Sequence, residues 1–322
     1  MTYLTGRNIV GLSNMARQLV ASLQTAGFKL IAVDKALSTV VNQNSKDFCL
    51  DASVDVDSMY ENQKWSILIS VDKDAGTMSM NVLPKNQINS QFEAVQRASG
   101  IEIGRISVNG STENFFIDLT KVWGVNPDAD DAAFPLSYDL SVTGHGVALH
   151  VNVEGMDNVG TAFSWFVAQR GVIAETGEVD PNSPLFAVYS IGGGQKADPD
   201  KLVPESIQRF TVIERDVSAA TAAMSAVVPS ADGIPIINPM QQVMIAEGNK
   251  AIVLFPHMIN SQRYLYHVVL DMLGYTSADV ISAASQIDLS PANVPTTYRA
   301  LNANGKDNRG MRVLFPVEVV QA

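Results

Sequence analysis

The chain has 322 residues, of which 46% are hydrophobic and 17% charged, and its formal net charge is −11. So much apolar side chain is ample for a buried core, which excludes an intrinsically disordered chain. The negative charge argues against electrostatic wrapping of DNA or RNA, and we expect no sequence-specific nucleic-acid binding. Because the charged fraction is below the roughly 25% of an average globular protein, we expect partner subunits to cover part of the surface.

The cysteine content and the apolar segments define the expected compartment. The chain has one cysteine, Cys49, so an intrachain disulfide and a cysteine-based metal site are excluded, and its apolar neighbours predict a small buried side chain. Residues 1–27 predict an amphipathic helix instead of a signal peptide. Prolines at 229, 235 and 239 interrupt the longest nearly uncharged stretch, so no membrane span is predicted. We therefore expect synthesis in the cytoplasm.

Residues 1–125 predict a compact α+β module with an antiparallel sheet. A helix is expected over residues 6–26, because apolar side chains recur there at three- and four-residue steps, and Gly27 is expected to end it. Residues 34–47 fit a helix and a strand equally well. The elements expected after the first helix are strands at 28–33, 65–71 and 77–83, a short helix at 88–99, and a hairpin formed by residues 101–108 and 113–119.

Residues 126–322 predict a β-rich domain, either a sandwich or a barrel, because glycine and proline turns punctuate many short strands. The boundary is placed at residues 125–131, which hold a proline and three aspartates without periodicity. A helical hairpin is expected over residues 261–287 near the end of the chain, and the last strand, interrupted by Pro316, is expected at a sheet edge. The strands expected in this domain are 137–143, 147–153, 163–174, 185–191, 207–213, 243–246, 251–255 and 311–320.

No motif in the chain predicts catalysis. The run Gly192-Gly193-Gly194-Gln195-Lys196 follows a strand, but no helix opens directly after it, so a flexible turn is favoured over a phosphate cradle. The Gly-x-Ser-x-Gly, His-Glu-x-x-His and Walker patterns do not occur. We expect no catalytic residue, no cofactor and no metal, and the chain is interpreted as a non-enzyme.

The histidines do not form a metal-binding pattern. His145 and His150 lie five apart, so strand alternation places them on opposite faces, and Gly144 and Gly146 mark a turn between two strands. His257 is too far from His267 to pair with it locally. His267 and Asp271 are four apart and would share one face of the predicted helix, where a surface pair is the favoured interpretation.

Three acidic groups are interpreted as solvated or turn residues. Asp72, Asp74 and Gly76 resemble the start of a calcium loop, but the twelfth position is Leu83, so a hairpin turn is favoured. The two other groups are expected on solvated faces, with weak binding of a divalent cation as the alternative for both. They consist of Asp51, Asp55, Asp57 and Glu61, and of Asp128, Asp130 and Asp131.

Residues 218–246 form an apolar but irregular segment, because their prolines prevent regular strand pairing. An exposed apolar segment is costly in a monomer, so it either covers its own core or docks on a neighbouring subunit. The residues predicted for such an assembly interface are Ile234, Pro235, Ile236, Ile237, Pro239 and Met240.

The acidic, cysteine-poor, Asn- and Gly-rich β composition resembles that of tailed-bacteriophage virion proteins. The predicted opening order of helix, strands, short helix and hairpin also looks like the α+β modules of tail-completion and neck rings. The resemblance covers about the first 125 residues and includes no diagnostic motif. It implies a structural, non-enzymatic subunit of the virion (neck, tail-completion, or tail or baseplate ring) that assembles as a homo-oligomer and docks to other virion proteins.

Two alternatives stay open from the sequence. The first is a soluble enzyme or ligand-binding protein whose site combines residues distant in sequence, with His145, His267 and the carboxylates of residues 51–61 as its candidate members. The second is a carbohydrate-binding β module that uses Trp123 or Trp165. Against it, Trp165 lies on one alternating face between Phe163 and Val167, which is typical of a core position.

Overall fold

The computed structural model describes the larger part of the chain in segments separated by gaps. Most of the described residues lie in strands, and one helix lies among them. The described residues are 1–34, 38–52, 65–72, 77–84, 117–118, 135–154, 163–173, 175–180, 183, 185–190, 208–213, 222–225, 243–245, 252–254, 257–260, 265–268, 270–277, 286–289, 296–302 and 311–318.

The helix α1 spans Leu12–Thr25. The strands in chain order are β1 Thr2–Ile9, β2 Lys29–Val33, β3 Asp47–Asp51, β4 Trp65–Asp72, β5 Thr77–Pro84, β6 Ile117–Asp118, β7 Leu136–Val142, β8 Gly146–Val153, β9 Phe163–Arg170, β10 Leu185–Ser190, β11 Gln208–Ile213, β12 Ala222–Ser225, β13 Val243–Ile245, β14 Ile252–Leu254, β15 His257–Asn260, β16 Leu265–Val268, β17 Gly274–Ser277, β18 Gln286–Leu289, β19 Thr296–Asn302 and β20 Met311–Glu318.

The described strands form three larger sheets and two separate hairpins. A seven-stranded sheet has the order β1-β7-β8-β9-β10-β11-β12, and a five-stranded sheet has the order β2-β3-β4-β5-β6. A four-stranded sheet has the order β17-β20-β19-β18, and the hairpins are β13-β14 and β15-β16. Neighbouring strands pair antiparallel throughout these sheets.

The predicted helix over residues 6–26 is wrong at its start, because residues 2–9 form strand β1. This strand pairs with β7, where Gly6 lies opposite Tyr138 and Ile9 opposite Leu136. A Cβ atom at position 6 would lie 2.2 Å from Tyr138 Cε1, so only glycine fits there. The periodic spacing detected the helix, but pairing with a strand distant in sequence decides the conformation of residues 2–9.

The end of α1 agrees with the prediction. Gly27 has φ 104°, and its N–H donates to the Gln24 carbonyl at 3.0 Å. The N–H of Phe28 donates to the Leu23 carbonyl at 2.9 Å. These two bonds are those of a Schellman motif, and the accompanying apolar contact comes from Leu23 and Phe28, which are both buried.

One apolar core joins α1 to both large sheets. The helix buries the side chains of Leu12, Met15, Ala16, Leu19, Val20 and Leu23. Alternate residues of β4, such as Ile67 and Ile69, belong to the same core as alternate residues of β7, such as Leu140. The core therefore uses one face of each sheet, and the second face of each sheet points away from this core.

The predicted fold class is wrong. An α+β protein, with an α+β module followed by a β-rich domain and a C-terminal helical hairpin, was expected, but the described chain is mostly β-sheet. Within residues 261–287, strand β16 lies where the first helix was predicted, β17 lies at the predicted link between the helices, and β18 begins at the predicted end of the second helix. The spacing of apolar residues in a short run fits a helix and a strand equally well. Here the strand conformation forms because β17 pairs with β20 and β18 pairs with β19.

Pro316 does not lie on an edge strand, because β20 is flanked by β17 and β19. Strand β17 pairs only with residues 311–314 of β20, so Pro316 lies beyond its end. On the other side Pro316 faces Tyr298, next to an irregularity between Thr297 and Tyr298. The proline is accommodated where its missing N–H removes no bond to β17.

Several predicted elements lie outside the described residues. These are the short helix over residues 88–99, the hairpin strand over 101–108, the boundary at 125–131 and the interface residues 234–240. The two-domain division at residue 125 and the docking role of the 218–246 segment therefore stay predictions. The described parts of that segment are β12 and β13.

Candidate functional site

One face of the seven-stranded sheet is apolar, and its second face carries buried polar side chains beside apolar ones such as Val167. Strand β7 places Leu136, Tyr138, Leu140 and Val142 in the apolar core. The residues between them are polar and nevertheless buried: Ser137, Asp139 and Ser141. Across the neighbouring strands this second face, called the polar face below, continues with His150, Asn152 and Gln169. A buried polar face needs partners for its hydrogen-bonding groups.

Residues from the last fifth of the chain cover the polar face. Ser141 Oγ donates to the carbonyl of Pro316 at 2.5 Å. The ring of His150 lies against that of Phe315, with centroids 6.3 Å apart. Asp139 Oδ2 lies 3.6 Å from Nη1 of Arg299. The four-stranded sheet therefore packs on the polar face through strands β19 and β20.

The Asp139 cluster consists of Tyr3, Arg7, Asp139, His150 and Arg299. Tyr3 Oη donates to Asp139 Oδ1 at 2.6 Å, and Arg7 Nη2 donates to the same oxygen at 2.5 Å. His150 Nδ1 lies 3.7 Å from Asp139 Oδ2. Arg7 also donates through Nη1 to the carbonyls of Gly6 and Tyr138, at 2.9 and 2.5 Å. One carboxylate thus joins β1, β7, β8 and β19.

The electrostatics of the cluster keep Asp139 ionised. Its side chain is 3% exposed, whereas those of Arg7 and Arg299 are 41% and 32% exposed. Burial alone would raise the pKa of the Asp139 carboxyl, but the contacts with His150, Tyr3 and Arg7 hold it well below its usual range. Burial and the hydrogen bond to Asp139 raise the pKa of the Tyr3 phenol.

The Asp271 cluster consists of His145, Gln169, Asp271 and Tyr298. His145 Nε2 donates to the Asp271 carboxylate, lying 2.8 Å from Oδ1 and 3.0 Å from Oδ2. Gln169 Nε2 donates to Asp271 Oδ1 at 2.9 Å, and the N–H of Met272 donates to Gln169 Oε1 at 2.8 Å. Tyr298 Oη donates to the Asp271 carbonyl. Burial, followed by the Asp271 charge, raises the pKa of Tyr298 well above its ordinary value.

Both clusters connect segments that are distant in sequence. The Asp139 cluster joins the first strand to the centre of the chain and to β19. The Asp271 cluster joins the β7–β8 turn and β9 to residues 270–273 and to β19. Fixed donors arranged around a carboxylate orient the segments that carry them. A carboxylate with a depressed pKa is also a weak base, so Asp139 suits ion pairing better than proton transfer.

The structure brings His145 and Asp271 together, a pair that the sequence analysis did not predict. The predicted hairpin around Gly144-His145-Gly146 is confirmed, since β7 ends at Val142 and β8 begins at Gly146. His267 and Asp271 were expected to share one face of a helix. This prediction is wrong, because His267 lies in strand β16 opposite Met258. His257 is opposite Val268 in the same hairpin.

The predicted acidic groups have different outcomes. Asp51 was expected on a solvated face but is buried in β3, where its Oδ1 accepts a hydrogen bond from Ser66 Oγ at 2.7 Å. The predicted pairing of the flanking strands is confirmed, since Asp72 pairs with Thr77, while the turn positions between them lie outside the described residues. The acidic positions outside the described residues are Asp55, Asp57, Glu61, Asp74, Asp128, Asp130 and Asp131. In the described part of the chain, no three His, Cys, Asp or Glu side chains form a metal-binding group.

The prediction for Cys49 is confirmed. The residue is fully buried beside Ala32, and burial followed by the charge of Asp51 raises the pKa of its thiol to about 12. A thiol with this pKa carries almost no thiolate at neutral pH and is unreactive. Trp165 lies in β9 opposite His150, whereas Trp123 and the run from Gly192 to Lys196 lie outside the described residues.

Sequence reasoning missed Tyr3, Arg7, Asp139, Gln169 and Arg299. One signal was present for Asp139, which is a charged residue in the middle of a strand with alternating apolar residues. Charged residues are almost never fully buried unless they are paired. The partners of Asp139 carry no such signal, because Tyr3 and Arg7 lie more than 130 positions away in sequence.

No protein-family model matches the chain, and no curated protein matches it significantly. Within the described residues, no helix has the length and apolar character needed to cross a membrane.

Proposed function

We propose that this chain is a structural, non-enzymatic subunit of a tailed-bacteriophage particle that assembles with copies of itself and with neighbouring virion proteins. The observation that carries the proposal is that the buried carboxylates Asp139 and Asp271 accept hydrogen bonds that hold segments of the fold together. Each is surrounded by donors from segments distant in sequence, so each stabilises the arrangement of the strands. A catalytic carboxylate would instead need access to a substrate and, for proton transfer, a pKa higher than the depressed pKa of Asp139.

The composition supports assembly as the role of this fold. Only 17% of the residues are charged, although a chain of 322 residues exposes a large surface. Subunits that bury surface against one another need fewer charged groups for solubility. The apolar segment over residues 218–246, with Ile234, Ile236 and Ile237 between prolines, supplies the apolar side chains that such an interface buries.

The acidic, cysteine-poor and strand-rich character supports placement in a virion neck, a tail-completion ring or a tail or baseplate ring. One cysteine among 322 residues suits a protein made in the reducing cytoplasm of a host. A net charge of −11 suits a ring whose lumen lets DNA pass without holding it.

Native mass measurement across a concentration series, with negative-stain images of the same samples, tests the proposal. We expect closed rings with a central hole, and the mass gives their symmetry. A monomer at every concentration, together with absence of the chain from purified particles of the phage that encodes it, would contradict the proposal and favour a ligand-binding protein.

A pair of variants tests the predicted interface. Ile236→Asp places a charge in the 218–246 segment and is expected to shift the protein from rings to monomers without changing its circular dichroism spectrum. Val40→Asp is the matched control, because Val40 is 72% exposed and lies outside the predicted interface. Equal assembly of both variants would remove this segment from the interface.

A further inference from the structure

The first strand is bound to a part of the chain that is distant in sequence. Strand β1 lies at one edge of the described seven-stranded sheet and pairs only with β7 there. Thr2 lies opposite Val142 and Thr5 opposite Asp139. Five of its eight residues are exposed, and only Gly6 and Ile9 are buried. An edge strand with few buried side chains loses little apolar burial when it leaves its sheet.

The link between β1 and α1 is short and lies where the backbone takes unusual conformations. Only Val10 and Gly11 separate Ile9 from Leu12. Asn8 before the link has φ 54°, and Gly11 within it has φ 84°. A side-chain-bearing residue with positive φ stores backbone strain, and short strained connections favour the exchange of an element between subunits.

The contacts that hold β1 can form equally well between two copies of the chain. The hydrogen bonds described above from Tyr3 and Arg7 go to Asp139, to the Tyr138 carbonyl and, within β1, to the Gly6 carbonyl. The buried Gly6 packs under Tyr138. The Asn8 N–H also donates to Glu154 Oε1, just beyond the end of β8, at 2.6 Å. A β1 strand from a second copy would find the same partners on β7 and at Glu154 of that subunit. Exchange of an identical element between subunits is a low-cost route to association, because it keeps the same contacts.

We propose that β1 is an exchangeable strand, which in the assembled protein leaves its own β7 and pairs with β7 of a second copy. Tyr3 and Arg7 of one subunit then bind Asp139 of its neighbour, so the Asp139 cluster is completed across the interface. This inference rests on the proposed assembly and specifies one contact that makes it. The occupant of the β7 edge is a second copy of this chain, since the side chains of β1 already match that edge.

Disulfide trapping tests the exchange. The double variant Thr2→Cys/Val142→Cys places two thiols directly opposite each other in the β1–β7 pair, where antiparallel neighbours lie within disulfide range. Cys49 does not interfere, because it is buried and its thiol pKa is raised to about 12. The control Ser70→Cys/Ser79→Cys bridges the directly opposite residues of the β4–β5 hairpin, whose two strands are adjacent in sequence and are not expected to exchange.

Both variants are oxidised in dilute solution and after assembly, and are then analysed by non-reducing denaturing gel electrophoresis. Exchange predicts a ladder of covalent multimers from the assembled β1–β7 variant and only monomers from the control. Assembled rings that yield only monomers from both variants would overturn the exchange and leave the proposed assembly intact. Failure to form any ring or covalent multimer would overturn both the exchange and the proposed assembly.

Discussion

The two faces of the seven-stranded sheet are built from the same strands but stabilise the protein in different ways. On the core face, alternate residues of β7 and β8 pack against α1 and the five-stranded sheet, as Leu140 and Leu149 do. On the polar face, Ser141, Asp139 and Gln169 bind specific atoms of other segments. Apolar packing is non-directional, whereas hydrogen bonds and ion pairs need one geometry.

This difference separates stability from specificity. The core face supplies apolar burial, which many arrangements of apolar side chains would provide. The polar face determines which segment packs on it. A different segment in that place would leave Asp139 or Gln169 buried without hydrogen-bonding partners. Variants at neighbouring positions of β7 test this separation, since successive residues point to opposite faces.

The largest effect is expected on the core face. Leu140→Ala removes a fully buried side chain, and a cavity of this kind destabilises a protein by about 2–5 kcal/mol. Urea denaturation monitored by circular dichroism measures the loss in the free energy of unfolding. Leu140→Met, which nearly keeps the volume, is the control and should cost less than about 1.5 kcal/mol. Equal losses for both variants would show that packing at this position does not carry the stability.

The next largest effect is expected for Asp139→Asn. The variant keeps the shape of the side chain but removes the charge that Arg7, Arg299 and Tyr3 face. Because the two arginines are partly exposed, we expect a loss of about 1.5–3 kcal/mol near neutral pH, as for hydrogen bonds to a charged group. The pKa of Asp139 is held below its unfolded value, so its stabilising contribution is complete above about pH 5 and is lost as the pH falls below about 4.

The pH dependence separates the charge from the packing. The difference in urea midpoint between the wild type and Asp139→Asn is expected to shrink as the pH falls from 5 to 2. Because the other carboxyl groups are common to both proteins, their protonation largely cancels in this difference. A difference that stays constant over this range would contradict the ion-paired state of Asp139.

The sequence predicted the core face much better than the polar face. The buried positions of α1, the hairpins β4–β5 and β7–β8 and the cap at Gly27 follow from local spacing and turn residues. The conformation of residues 2–9 and the strands at 265–289 depend on pairing partners elsewhere in the chain. The Asp139 cluster combines residues 3, 7, 139, 150 and 299, and no local pattern encodes their approach.

A smaller effect is expected at the turn that positions His145. A Cβ atom at Gly146 would lie 2.4 Å from Gln169 Cβ and 2.8 Å from the Ala168 carbonyl oxygen, whereas one at Gly144 would have nothing within 4 Å. Gly146→Ala is therefore expected to cost about 1–3 kcal/mol through overpacking, and Gly144→Ala less than about 0.5 kcal/mol. Thermal unfolding of the two variants measures the contrast, and similar melting temperatures would argue against the close packing of β8 on β9 at this turn.

The smallest effect tests whether a hydrogen bond from the polar face helps to hold the four-stranded sheet in place. Ser141 Oγ donates to the Pro316 carbonyl of β20, whereas Ser137 Oγ donates to Asn152 within the seven-stranded sheet. Each alanine variant loses one hydrogen bond and is expected to cost about 1 kcal/mol. The two variants should differ in where protection from amide exchange is lost. Ser141→Ala is expected to speed amide exchange in β20, because the hydrogen bond between Ser141 and Pro316 is lost. Ser137→Ala is expected to leave the exchange rates of β20 unchanged. Faster exchange of β20 in both variants would mean that the four-stranded sheet responds to global stability and not to the bond that reaches it from the polar face.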